Sequence, residues 1–160
     1  MKEGTIKFAE NKGIFVIKME GDVRLTLALS FDAFIDDMLN AKDFNSVIFD
    51  LSKAEAIDST TLGLMAKISL KSHPLTNEYP LVITNSKTIT RVLVSMGFAD
   101  IFRLVKQADF DARDFSELRE KDGSEQAIRE TVLDAHKTLM AMNDANANTF
   151  RELLHSLDHS

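Results

Sequence analysis

The sequence contains no cysteine and no tryptophan, and only two prolines and six glycines in 160 residues. Without cysteine there is no disulfide scaffold, no thiolate zinc site, no cysteine nucleophile and no iron–sulfur cluster. Basic residues are in deficit, 19 Lys and Arg against 25 Asp and Glu, for a net charge of -6. That argues against nucleic-acid binding, which needs a basic face for phosphate contacts. No apolar run approaches the roughly 18 residues of a membrane span. The first ten residues, MKEGTIKFAE, alternate and lack the apolar h-region of a signal peptide. A soluble cytoplasmic protein is expected. The glycines are scattered and no Gly-Lys-Ser/Thr occurs, so no phosphate-cradling loop and no cofactor is expected. His155 and His159 are four apart, as metal ligands on a helix are. No third ligand accompanies them, so they read as solvated surface rather than a metal site.

What is present is unevenly distributed. Residues 1–108 hold 13 basic and 13 acidic side chains, and residues 109–160 hold 6 and 12. The whole excess of negative charge therefore lies in the last third. Five of the six glycines and both prolines precede residue 108, and three of the four histidines follow it. The division implied is a globular domain over 1–108 and an acidic helical extension over 109–160.

Hydrophobic periodicity supplies the elements. Thr5–Glu10 alternates as a half-buried strand, and Ile14–Met19 reads as its more buried hairpin partner across Asn11-Lys12-Gly13. Gly21-Asp22 closes that strand. Leu27, Phe31, Phe34, Ile35, Met38 and Leu39 recur at helical spacing. Val47-Ile48-Phe49 is a short buried strand ended by Asp50. A helix is expected over Ser59–Ser72, stopped by His73-Pro74. Leu81-Val82-Ile83 is a further strand. Ser86 caps a helix bearing Ile89, Val92, Leu93 and Met96, ended by Gly97. Ile101–Val105 reads as a last short strand. Alternating strands and helices imply parallel crossovers, hence an α/β domain with a mixed sheet. In the extension, Asp109–Glu120 reads as a short helical linker. Ser124 then caps a helix with Ile128, Val132, Ala135, Leu139 and Met142 on one stripe. A second stripe follows at Phe150, Leu153, Leu154 and Leu157. The polar stretch Asn143–Asn148 is either a turn between two helices or part of one long helix. These stripes pack on the domain or on each other, or else form a partner-binding or dimerisation face.

The chemistry-bearing segment is Asp50-Leu51-Ser52 followed by Ile57-Asp58-Ser59-Thr60-Thr61-Leu62-Gly63. A buried strand, a loop and a helix start at a hydroxyl-rich cluster. The first turn of a helix has N–H groups without intrahelical partners, and its dipole favours negative charge. A phosphate on a hydroxyl there would sit against those groups and add about -1.5 to -2 charge beside Asp58. The plainer reading is that Asp58 or Ser59 caps the helix.

This segment resembles the phosphorylation-site signature of the STAS domain family, the bacterial anti-sigma factor antagonists. The usual pattern is Asp-Ser-Ser/Thr-Gly-Leu/Val-Gly after a strand ending in Asp-Leu-Ser. Gly21-Asp22, Asn85-Ser86 and Met96–Phe102 stand in similar register, so the likeness covers about residues 4–106. The resemblance implies a STAS-like mixed sheet packed with helices. It implies that Ser59 is the phosphoacceptor, with Thr60 the runner-up. Its implied partners are an anti-sigma factor that is also a serine kinase, and a PP2C-type phosphatase. Asp22, Asp58, Ser59, Thr60, Thr61 and Gly63 are the expected partner-binding residues. Two positions depart from the pattern. Thr61 replaces a glycine, placing a side chain where a partner backbone approaches. Arg24 stands near where the family often has Asp. The resemblance does not extend to the acidic helices, which are candidates for a further protein partner.

Besides a ligand-sensing STAS module, which would need a pocket, two other readings stand beside this one. One is a constitutive STAS scaffold in a larger assembly, with Ser59 only structural. The other is a Ser/His/Asp hydrolase. The domain's only histidine, His73, is fourteen residues beyond Ser59, about 21 Å along a helix and out of reach of a general base. There is no Gly-x-Ser-x-Gly elbow. A histidine from the extension would have to fold back.

Overall fold

A computed structural model describes residues 2–158. The first hairpin forms as expected, with β1 (Thr5–Asn11) antiparallel to β2 (Ile14–Val23). Lys12 and Gly13 both have positive φ, 53° and 82°, as a two-residue turn of matching twist demands. A side chain at Gly13 would collide with the Asp43 carbonyl. Beyond β2 lie α1 (Ala28–Leu39), β3 (Ser46–Ile57), α2 (Ser59–Thr76), β4 (Leu81–Ile83), α3 (Lys87–Ser95) and β5 (Arg103–Val105). Strands β2, β3, β4 and β5 are parallel neighbours. The sheet order is β5-β4-β3-β2-β1-β6, where β6 (Ser116–Glu117) pairs antiparallel with β1. The expected mixed α/β architecture is what the chain adopts.

Three expectations are corrected. β3 does not end at Asp50 but runs on to Ile57. Asp50 is tolerated inside the strand because its carboxylate accepts from the Ser52 N–H and hydroxyl, at 3.0 and 2.6 Å. Two register shifts against β2 give β3 an extra residue each time, as β-bulges do. Likewise β2 passes through Gly21-Asp22 to Val23. Second, α2 is not stopped at Ser72. It carries Pro74 inside its last turn and ends at Asn77, in the left-handed conformation at φ 62°. Proline removes one N–H there, and the carbonyl it would have bonded belongs to exposed Leu70. Third, Asp109–Glu120 contains no helix. The exposed edge of β1 offers unpaired backbone groups, and the linker satisfies part of it as β6. Leu118 N–H also donates to Ile6 O at 2.8 Å.

The extension forms two helices, α4 (Glu125–Met142) and α5 (Asp144–Asp158). Ser124 caps α4 by accepting from Ala127 N–H at 3.0 Å. Asn143 has extended backbone, and its side chain accepts from Asn146 N–H at 2.8 Å, so it ends one helix and starts the next. The open question at Asn143–Asn148 resolves to a helix–helix turn. The buried Asn146 donates to Met96 O and Leu139 O, both at 2.9 Å, pinning the turn to the end of α3. From the extension Ala135, Leu139 and Phe150 enter the same core as Phe31, Phe49 and Met65. Leu153 on the second stripe stays exposed. Three layers thus meet at α2, with the sheet below and α1 and α4 around it. Its first two turns are buried on nearly every side, as expected of a helix without a solvent face.

One ion pair lies in the hairpin. The Lys7 ammonium is 2.8 Å from the nearly buried Glu20 carboxylate. The Lys7 hydrogen bond, aided by the charges of Lys7, Lys18 and Lys53, outweighs burial and holds Glu20 below its ordinary 4.5. The same bond raises Lys7 above 10.5. A carboxylate with a depressed folded value stabilises above its unfolded value, and that contribution is lost as pH falls through the folded value. Urea unfolding of wild type and Glu20→Gln is therefore expected to show a stability gap that is full near neutrality. The gap narrows below about pH 4.5, and one that did not change with pH would refute the assignment.

Candidate functional site at the start of α2

Asp58 follows the end of β3 with extended backbone and caps α2, its Oδ1 accepting from Thr61 N–H at 2.9 Å. Its own N–H is held by Val23 O at 3.0 Å, which anchors the helix start to the end of β2. Because Asp58 does the capping, the Ser59 hydroxyl is free for another partner. That partner comes from the extension: Ser59 Oγ lies 2.8 Å from Nε2 of His136 on α4. His136 Nδ1 is 2.7 Å from Val132 O. A carbonyl only accepts, so Nδ1 carries the proton and donates. In the neutral ring Nε2 then accepts, and the Ser59 hydroxyl donates to it. The ring is 1 % exposed and meets Phe150 edge-on at 5.1 Å.

The remaining predicted residues fall into three groups. Thr60 and Thr61 are buried, 3 % and 2 % exposed, so neither presents its side chain to a partner in this state. Gly63 faces α4. A Cβ there would lie 2.3 Å from Ala135 O and 2.7 Å from Ala135 Cβ, so the close approach its lack of a side chain permits is used within the chain. Asp22 sits beside the end of β3, paired with Ala56 in the sheet. Its Oδ2 accepts from Arg24 Nε at 2.7 Å, so the unusual Arg24 neutralises it on the spot.

His136 is the residue that sequence reasoning missed. Its signal was its place next to Ala135 and four after Val132, on the apolar stripe of α4. A histidine from the extension does fold back on Ser59, the condition set for a hydrolase. The pair has the donor–acceptor sense of a nucleophile and its base. The rest of that machinery does not accompany it. His136 Nδ1 faces a carbonyl of its own helix rather than a carboxylate, and the Thr61 amide is already given to Asp58. The second histidine considered, His73, stacks on Tyr79 at 4.0 Å near the far end of α2. Among the described residues no cluster of three His, Asp or Glu suits a metal ion. His155 is exposed, and His159 lies outside the described residues. Among the described residues no helix is long and apolar enough to cross a membrane.

The STAS domain family model matches residues 5–110, which is most of the sheet together with α1, α2 and α3. The chain belongs to the STAS domain family. Its fold is similar to that of the Bacillus cell-fate determinant SpoIIAA in the phosphorylated form, with a TM-score of 0.53 and 14 % identity. That match covers 62 % of this chain and 90 % of the other. No curated protein sequence matches. Helices α4 and α5 lie beyond the family match.

The α2–α4 contact makes a prediction of unusual sign. In an ordinary helix interior Gly→Ala stabilises by about 0.5–1 kcal/mol. At Gly63 the new methyl meets α4 backbone, so Gly63→Ala is expected to destabilise by about 1–3 kcal/mol. Urea unfolding measures this directly, and a stabilised variant would mean that α4 does not lie there.

Proposed function

We propose that this protein is an anti-sigma factor antagonist that works as a phosphorylation-controlled protein–protein switch and itself catalyses nothing. In this reading it is a bacterial, cytoplasmic regulator of transcription. Residues 1–108 are its switching unit, and 109–160 its acidic extension. Unphosphorylated at Ser59, it binds an anti-sigma factor that is also a serine kinase, and a sigma factor is released. Phosphorylation ends the complex, and a PP2C-type phosphatase restores it. Family membership supports the reading, as does similarity to a protein solved in a phosphorylated form. The observation that carries it is local: Asp58 caps α2 and leaves the Ser59 hydroxyl at the first helical position uncommitted to the backbone. A phosphate there meets the dipole end of an eighteen-residue helix. It also adds about -1.5 to -2 charge to whatever surface a partner reads. Thr60 remains the lesser acceptor because it is buried.

The reading is tested by affinity capture from a native lysate with wild type, Ser59→Ala and Ser59→Asp as baits, together with phosphosite mapping by mass spectrometry. The expected outcome is a serine kinase of the anti-sigma class captured by Ser59→Ala and at least about tenfold depleted with Ser59→Asp, a loss of about 1.4 kcal/mol or more. Ser59 is expected to be the occupied site. Identical captures by all three baits, with Ser59 unoccupied, would leave the constitutive scaffold as the better account.

A further inference from the structure

We propose that α4 is an intramolecular lock on the Ser59 face, which must undock for Ser59 to be phosphorylated and which a phosphate at Ser59 keeps from re-docking. The biological meaning of this lock rests on the reading of Ser59 as a phosphoacceptor. The physical coupling does not, because it follows from the contacts themselves.

The first contact is the hydrogen bond. Ser59 donates its only hydroxyl proton to His136 Nε2. Transfer of a phosphoryl group from ATP breaks the Oγ–H bond and forms an Oγ–P bond. The proton leaves with the kinase's base, and ADP is the leaving group. Oγ then has no proton to donate. With the imidazole neutral, a lone pair of the ester oxygen faces the lone pair of Nε2, and the bond that held the two helices together becomes a repulsion. A phosphorus and three oxygens must also be accommodated around a half-buried Oγ that already lies 2.8 Å from Nε2.

The second contact removes the easy escape. The imidazole is fixed from behind by Nδ1–H donating to Val132 O and from the side by Phe150. The α4 backbone beneath it has no slack, because Ala135 lies against the bare Cα of Gly63. A helix seated that closely yields by leaving rather than by a small adjustment. The third contact shows what leaves together. α5 follows α4 through the Asn143 turn, and Phe150 and Leu139 share the core with Ala135. The unit that moves is the α4–α5 hairpin, tethered by the irregular linker between β6 and α4.

By linkage the coupling acts in both directions. Ser59 is half-buried and its hydroxyl is engaged by His136 while α4 is docked, so a kinase acts on the undocked fraction and its apparent rate scales with that fraction. Phosphate raises the undocked population by the same factor by which undocking favours phosphate.

The test uses the full chain with phosphoserine installed at position 59 during synthesis, so that no kinase is needed. Amide hydrogen exchange is followed for wild type, the phosphoserine protein and Ala135→Arg, a variant that forces α4 from Gly63. The expected result is exchange over α4 and α5 at least about tenfold faster in the phosphoserine protein than in wild type. That exchange approaches the Ala135→Arg level, while β2 and β3 keep their protection. Retained protection over α4 in the phosphoserine protein would overturn the lock, and so would loss of protection throughout the sheet. The two readings fail separately. An absent cellular kinase defeats the proposed switch and leaves the coupling standing, whereas an unmoved α4 defeats the lock and leaves the switch standing.

Discussion

The approach of α4 to Gly63 sets the terms for the functional end of the molecule. With no side chain at 63, the carbonyl and Cβ of Ala135 come against the α2 backbone itself. That brings position 136 one residue further along, level with the first turn of α2, where the Ser59 hydroxyl is waiting. A larger residue at 63 would hold α4 off, and the 2.8 Å contact between Ser59 and His136 would not form. The same closeness explains why α2 has so little solvent face. Thr60, Thr61, Leu64 and Ser72 are buried, although an exposed helix of this composition would show some of them to water.

The division of labour at the start of α2 follows from elementary helix chemistry. Four N–H groups need partners. Asp58 takes one with its carboxylate and is itself fixed by Val23 O. A Ser-for-Asp exchange of roles would consume the hydroxyl in capping and leave nothing to modify. Placing the cap on Asp58 keeps the hydroxyl chemically available while the helix start stays rigid. The Arg24 guanidinium is spent on Asp22, so the start of α2 relies on its own backbone N–H groups and the Asp58 carboxylate.

Much of the fold was legible because its signals are local. The Lys12-Gly13 turn, the Ser86 and Ser124 caps and the Ile128–Met142 stripe each carry their own chemistry within a few residues, and each appears where periodicity and capping place it. The misreadings share a cause in contacts distant along the chain. Asp50 looks like a strand end until Ser52 is seen to satisfy it and β2 to continue alongside. The stretch before Ser124 resembles a linker helix until the open edge of β1 is seen to need a partner. Pro74 stops a helix in isolation, but not in a last turn whose orphaned carbonyl is at an exposed position. The site was legible in its α2 half, since Asp58, Ser59 and Gly63 are contiguous. It was not legible in its α4 half. His136 is 77 residues from Ser59, and on one stripe with Ala135 and Leu139 it looks like any satisfied core histidine.

The extension carries all of the excess negative charge, yet it docks on a domain whose formal charges balance. Net electrostatic attraction therefore does not hold it there. What holds it is apolar burial at Ala135, Leu139 and Phe150, the Asn143 and Asn146 side-chain bonds to Met96 O, the β6 pairing with β1, and the one bond at Ser59. Burying such side chains is worth about 1.5–3 kcal/mol for each large one, offset by the entropy of ordering some thirty residues of helix. Over α4, among the described residues, the polar anchors to the first turn of α2 reduce to that one bond, which places the docked state within reach of a single chemical change. Of those anchors, the hydroxyl of Ser59 is the one whose donor role the proposed phosphorylation would remove. Modification elsewhere on the hairpin would add charge to an already acidic, solvated surface. The proposed modification at Ser59 would instead take the donor from the buried Nε2 of the neutral ring, and the cost of that unsatisfied group would fall directly on the docked state.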